Sequence, residues 1–148
     1  MVSLSGKSWL SVANDYFEQL MSPLIGSVLI AFVILLVLDL LWLTFVMKAL
    51  FKSSLGDVLL EQPRLVPAAI FYLVYTFGIS YFAIAPATTA SGALIRGALF
   101  GFVCYVTYDL TNLATLKPWN WTLALMDIAW GTAVTAIAAS AGAWWLRR

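Results

Sequence analysis

The sequence predicts an all-α integral membrane protein: a four-helix bundle with a short amphipathic interfacial helix at its N-terminus. Three observations carry this. Of the 148 residues, 63% are apolar and 10% charged, with a mean hydropathy of +0.95, whereas soluble domains carry charge on roughly a quarter of their residues. The apolar residues gather into four runs, each close to the roughly 20 residues a helix needs to cross a bilayer. The runs are too long and too uniformly apolar for barrel strands of about 10 residues with alternating polarity. Four spans and their loops use up almost the whole length, which leaves no room for a soluble catalytic domain.

Residues 1–22 lack the basic start, short apolar core and small-residue cleavage site of a secretory signal, so they are expected to remain. Within them Trp9, Val12, Ala13, Tyr16, Phe17 and Leu20 recur at helical spacing, opposite Ser8, Ser11, Asp15, Glu18 and Gln19. This reads as an amphipathic helix in the interface or against a partner. Its acidic polar face favours protein over anionic lipid. Pro23 is expected to break it from the four-span domain, residues 23–148.

The first span is expected at about 24–47, with Asp39 its single charge and Lys48 and Lys52 beyond its end. Residues 52–65, with charges, a Gly and a Pro, form the one substantial loop. The second span, about 66–85, is entered at Pro67 and left at Pro86, and the ATTASG stretch turns the chain into the third, about 96–116. There Gly97, Ala98 and Gly101 make a small-residue face that admits a neighbouring helix. KPWNW turns the chain again, its two tryptophans marking the interface. The fourth span, about 121–146, carries a second small-residue face and ends on Trp144, Trp145, Arg147 and Arg148. Lys7, Arg96, Arg147 and Arg148 on one side balance Lys48, Lys52, Arg64 and Lys117 on the other, so basic residues do not set the orientation.

A net charge of +1 without a basic run excludes nucleic acid as a partner. Histidine is absent and Cys104 is the single cysteine. An internal disulfide and cysteine-based metal sites are therefore excluded, and Cys104 reads as packing. The sequence identifies no cofactor.

The chemistry lies in three acidic side chains inside apolar runs. Asp39, Asp109 and Asp127 open the similar hexads DLLWLT, DLTNLA and DIAWGT. Counted from the flanking polar residues, all three fall roughly 9 to 14 Å inside the same membrane face. Tyr72 and Tyr75 fall at that level on the second span. Tyr105, Asp109 and Asn112 share one helical face, Tyr108 lies beside them, and Trp42 and Trp130 each stand one turn from an aspartate. An aspartate at the centre of a spanning helix costs about 2.5 to 3.5 kcal/mol. Three of them without a basic partner must be hydrogen-bonded, protonated, hydrated or bound to a cation. The plain alternative is interhelical glue, in which polar side chains cross-link a bundle that has no hydrophobic driving force for assembly; Asn or Ser would do that at lower cost.

DLLWLTFVMKALFK with the loop LGDVLL, then FYLVYTFGISYFA, RGALFGFVCYVTYDLTNLATLKPW and MDIAWGT, resembles a bacterial family of predicted membrane proteins, domain of unknown function 2177. The resemblance runs from about residue 24 to 146. It implies four helices in a bacterial inner membrane and carries no established activity. Residues 1–22 read as a departure from the family, which begins close to its first span.

Three function classes follow. The first is a small multi-pass protein, as a homo-oligomer or with partner subunits, whose Asp/Tyr/Trp/Asn layer binds or translocates a proton, cation or cationic small molecule. The second is an accessory integral subunit of a larger membrane complex of respiratory or photosynthetic type. The third, an enzyme acting on lipid, ranks last, because the sequence has no paired Asp motif on one helix, no His and no nucleophile beside a base.

Overall fold

The structure is a computed structural model that describes residues 8–148. Lys7 and the first residues of the amphipathic segment lie outside the described residues, as does the side chain of Leu20. Among the described residues the secondary structure is helical. Helix α1 (Trp9–Trp42) starts at Ser8, whose hydroxyl caps it by accepting from the Ser11 N–H at 3.3 Å. It runs on through a π-helical segment (Leu43–Met47) into α2 (Lys48–Leu55) and a 3-10 turn (Gly56–Val58). Helix α3 (Leu65–Gly78) continues as a second π-helical segment (Ile79–Ile84). Helices α4 (Ala90–Thr115) and α5 (Trp121–Leu146) are each capped by a side chain. Thr89 accepts from the Gly92 N–H and Asn120 from the Leu123 N–H, both at 3.0 Å.

Four of these helices are long and apolar enough to cross a membrane. The boundaries differ from the sequence reading in three places. Pro23 does not break the chain, because α1 carries it inside one continuous helix of 34 residues. A proline deprives the helix of one ladder bond, here the one to the Gln19 carbonyl, and spanning helices tolerate this. The amphipathic segment is thus the first turns of α1. At 1.5 Å per residue α1 is about 51 Å long, well beyond a hydrocarbon core of about 30 Å. The third span begins at Ala90, six residues earlier than expected, because Thr89 supplies a cap that ends the turn. The first span does not stop near Lys48, since helical backbone continues through α2.

Helix α5 is the spine, buried over most of its circumference by residues that include Leu123, Asp127, Gly131, Val134, Thr135 and Ala139, and exposed at Leu125 and Ile137. Helix α4 lies tight against it along Gly97 and Gly101. A Cβ at Gly101 would stand 2.6 Å from the Gly131 carbonyl oxygen, and one at Gly97 2.6 Å from the Ala139 Cβ. Where lipid tails are as apolar as leucine, such close backbone approach is what holds helices together. Helix α1 also packs on α5, where the Ser27 hydroxyl donates to the Gly142 carbonyl at 2.8 Å.

Helix α3 is held unevenly. Its π-helical end packs on α1, α4 and α5, whereas its first part has close backbone neighbours only on α1. The Arg147 guanidinium secures the far end by donating to the Ile84 carbonyl at 3.3 Å, to the Ala143 carbonyl at 3.1 Å and to the Ala87 carbonyl. The helices therefore converge at that end, and α3 stands off from α4 at the other.

The α4–α5 seam leaves no room for a branched side chain. Gly101→Val should lower unfolding stability by about 1 to 3 kcal/mol, the usual cost of overpacking. Leu99→Val, at a position facing away from the bundle with 65% exposure, should leave it within about 0.5 kcal/mol. Thermal unfolding of the two purified variants in one detergent checks the difference.

Candidate binding site

Asp39, on α1, is buried and fully engaged. Its Oδ2 accepts from the Tyr72 hydroxyl of α3 at 2.7 Å and its Oδ1 from the Trp130 indole N–H of α5 at 3.0 Å. One carboxylate thus ties three helices together. Trp130 is in turn stacked face to face on Trp42, with ring centroids 4.5 Å apart and planes 5° from parallel. Trp42 stands one turn from Asp39 on α1, so the stack fixes the indole that serves the carboxylate.

Asp127 has a different environment. It lies one turn before Trp130 on α5, is 9% exposed, and has no hydrogen-bond or ion-pair partner among the described residues. It faces a cavity of about 400 Å³ that is also lined by Asp39, Tyr75, Tyr105 and Tyr108, with Leu43, Phe51, Phe71 and Cys104 completing the wall. That volume lies within the range of small-ligand sites. The cavity occupies the space where α3 stands off from α4.

Two tyrosines in the wall are fixed by α5. The Tyr105 ring lies flat on Gly131, where a Cβ would stand 2.1 Å from its Cγ, so the glycine of the DIAWGT hexad is the seat for this ring. The Tyr75 hydroxyl meets Thr135 Oγ1 at 2.8 Å. Thr135 Oγ1 itself donates to the Gly131 carbonyl, which leaves Tyr75 as the donor to Thr135. The two rings meet edge to face at 6.1 Å. Leu43, the first residue of the first π-helical segment, and Phe51, beyond that segment on α2, both reach the cavity. The wider turn of the segment shifts the helix register, so α2 presents a different face from the one continued α-helix would give.

Asp109 and Asn112 do not line this cavity. Asp109 is fully buried, and its Oδ1 accepts from the Trp119 indole N–H at 3.2 Å. Its Oδ2 is buried without a hydrogen-bond partner among the described residues, as are Asn112 Nδ2 and the Trp42 indole N–H. Tyr108, which lines the cavity, meets the Trp119 ring edge-on at 5.8 Å. Asp109 lies six residues before the end of α4 at Thr115, and the Trp119 indole from the following turn donates to it.

Several participants did not stand out in the sequence. Trp119 reads as an interface marker in KPWNW, yet it is buried and bonded to a carboxylate. Cys104 reads as packing, yet it lines the cavity. Phe71 stands one turn before Tyr75, and Thr135 one turn after Gly131, so helical spacing from the recognised residues was the available signal.

Among the described residues no three His, Cys, Asp or Glu side chains come close enough to share a metal ion. The arrangement instead offers one engaged carboxylate, one free carboxylate and several aromatic faces.

The Asp39 cross-link makes a separable prediction. Tyr72→Phe removes one hydroxyl and leaves a buried carboxylate oxygen without its donor, which should cost about 1 to 3 kcal/mol of stability. Tyr108→Phe, at a ring 56% exposed, should cost less than about 0.5 kcal/mol. Equal thermal unfolding of the two variants would contradict the cross-link.

No curated protein and no solved structure matches the chain. A family match begins at residue 9, so most of the amphipathic segment, which the sequence reading took as a departure, lies within the family's own span. Residues 9–144 match the family described as Predicted membrane protein (DUF2177), and the chain belongs to that family of membrane proteins.

Proposed function

We propose that this is a small multi-pass protein of the bacterial inner membrane whose cavity binds a cation or cationic small molecule at the level of Asp39 and Asp127. The observation that carries this reading is Asp127: a carboxylate about nine-tenths buried, facing a cavity, without a partner. An unpaired carboxylate at a largely buried position among apolar side chains is costly, and a bound cation offsets that cost. Asp127 is then the ligand-facing group. Asp39 adds negative charge without moving, because Tyr72 and Trp130 hold both its oxygens and Trp42 holds Trp130. Tyr75, Tyr105 and Tyr108 supply hydroxyls and ring faces. Asp109 and Asn112 serve the corner between α4 and α5, where Trp119 closes over them.

Ethylammonium is a suitable probe. A ligand present at 100 times its Kd stabilises the folded state by about 2.7 kcal/mol. Ethylammonium chloride should therefore raise the unfolding temperature by several degrees over the same concentration of sodium chloride. Asp127→Asn should abolish the difference, while Glu61→Gln, in the exposed loop, should retain it. A wild-type protein indifferent to the choice of cation would end this reading.

A second reading, an accessory subunit of a larger complex, is favoured by α1. Its first turns leave Trp9 80% exposed, Leu10 83%, Tyr16 69% and Phe17 61%. Deleting residues 9–20 and comparing the subunits co-purified from native membranes tests it. An unchanged set would set the reading aside.

A further inference from the structure

We infer, resting on the reading of the cavity as a cation site, that its ligand is a single-tailed amphiphile with an ammonium head, entering sideways from the bilayer between α3 and α4. The observation is a second cavity, of about 340 Å³, which shares Phe71, Tyr75 and Cys104 with the first and continues past Val74 and Gly78 to Phe82 and Phe100. No charged side chain lines it. The two cavities adjoin at Phe71, Tyr75 and Cys104, the first acidic and hydroxylated, the second aromatic.

The aromatic cavity is a built surface. Phe100 stacks on Tyr75 at 5.6 Å and on Phe82 at 5.4 Å. Its ring tip lies against the α3 backbone at Gly78, where a Cβ would stand 2.7 Å from the Phe100 Cζ. From Tyr75 to Phe82 the groove follows the helix for roughly 10 Å. Val74 is 65% exposed and Phe82 56% exposed. Both lie in the span Leu65–Ile84, so the groove opens to lipid tails. A hydrated inorganic ion has no use for such a groove, and the described residues offer no metal triad.

The head chemistry follows from charge. Asp39 and Asp127 line the first cavity, and no Lys or Arg lines either cavity. An anionic head would be repelled, and a neutral alcohol would leave the Asp127 carboxylate uncompensated. An ammonium head balances that charge, and aromatic rings in the cavity wall add cation–π attraction. The tail gains little from the groove relative to lipid, since both are apolar. It orients the ligand with its head at Asp127 and delivers it from within the membrane.

The test uses the full chain in lipid nanodiscs, with ethylammonium and dodecylammonium compared at matched membrane mole fraction in wild type, Asp127→Asn and Val74→Trp. Asp127→Asn should weaken both probes by about tenfold or more, the equivalent of about 1.4 kcal/mol. Val74→Trp fills the groove from its lipid side without entering the core. It should weaken dodecylammonium by about tenfold while leaving ethylammonium within about twofold. Phe82→Trp, at the far end of the groove, provides a second block with the same expected split.

If both Trp variants bind dodecylammonium as wild type does, while ethylammonium still depends on Asp127, the amphiphile inference fails and the cation site stands. If ethylammonium does not bind wild type, the underlying reading fails. Dodecanol bound as tightly as dodecylammonium, with no effect of Asp127→Asn, would overturn the ammonium head.

Discussion

The rest of this structure depends on the cost of keeping a carboxylate inside a membrane. Asp39 meets that cost with two donors, and because Tyr72 and Trp130 lie on different helices, meeting it also fixes where α1, α3 and α5 stand. The Trp42–Trp130 stack removes the rotational freedom the indole would otherwise have. Burying and bonding are one arrangement here: loosening α3 would expose the Asp39–Tyr72 bond and leave an oxygen without its donor in a medium that offers no replacement.

That constraint explains the asymmetry of α3. At its π-helical end it is packed on three helices and pinned by Arg147 through the Ile84 and Ala87 carbonyls. At the other end it is held to α1, where Tyr72 reaches Asp39, and it stands off from α4. Tyr75, donating to Thr135 on α5, and Phe100, stacked on Tyr75, bridge the gap through side chains. A backbone held at one end and propped by rings at the other leaves space between α3 and α4 without letting the helices drift. The glycines of α4 act in the opposite sense, removing all space between α4 and α5.

Much of this was legible in the sequence because membrane burial makes polar residues conspicuous. The four spans follow from apolar run length, and Asp39, Asp127, Tyr75, Tyr105 and Tyr108 stand out as polar or aromatic groups at one depth. The pairing of donors was not legible. Nothing in the spacing says that Tyr72 serves Asp39 while Tyr75, one turn away, serves Thr135, because that depends on the tilt of α3. Two further features escape a one-dimensional reading. Proline is a local signal, whereas helix continuation at Pro23 depends on the ladders on both sides of it. The π-helical segment at Leu43–Met47 leaves no compositional mark, yet it decides which face of α2 meets the cavity.

The contrast between the two cavity carboxylates is the remaining physical question. Asp39 and Asp127 lie in the same cavity wall, yet among the described residues one has two donors and the other none. Were the cavity only a packing defect of a cross-linked bundle, an apolar or amide side chain at position 127 would fill the place at lower cost. The fold can carry that cost because the Gly97–Gly101 seam and the Arg147 clamp stabilise it elsewhere, as a site that stores unfavourable energy requires of its surroundings. On the proposed reading, a ligand that neutralises Asp127 would offset that cost, so ligand binding and stability would rise together. A purely cross-linking carboxylate is different: both oxygens of Asp39 already have donors. The difference between a carboxylate that is already satisfied and one that is not separates the structural role of Asp39 from the ligand-facing role proposed for Asp127.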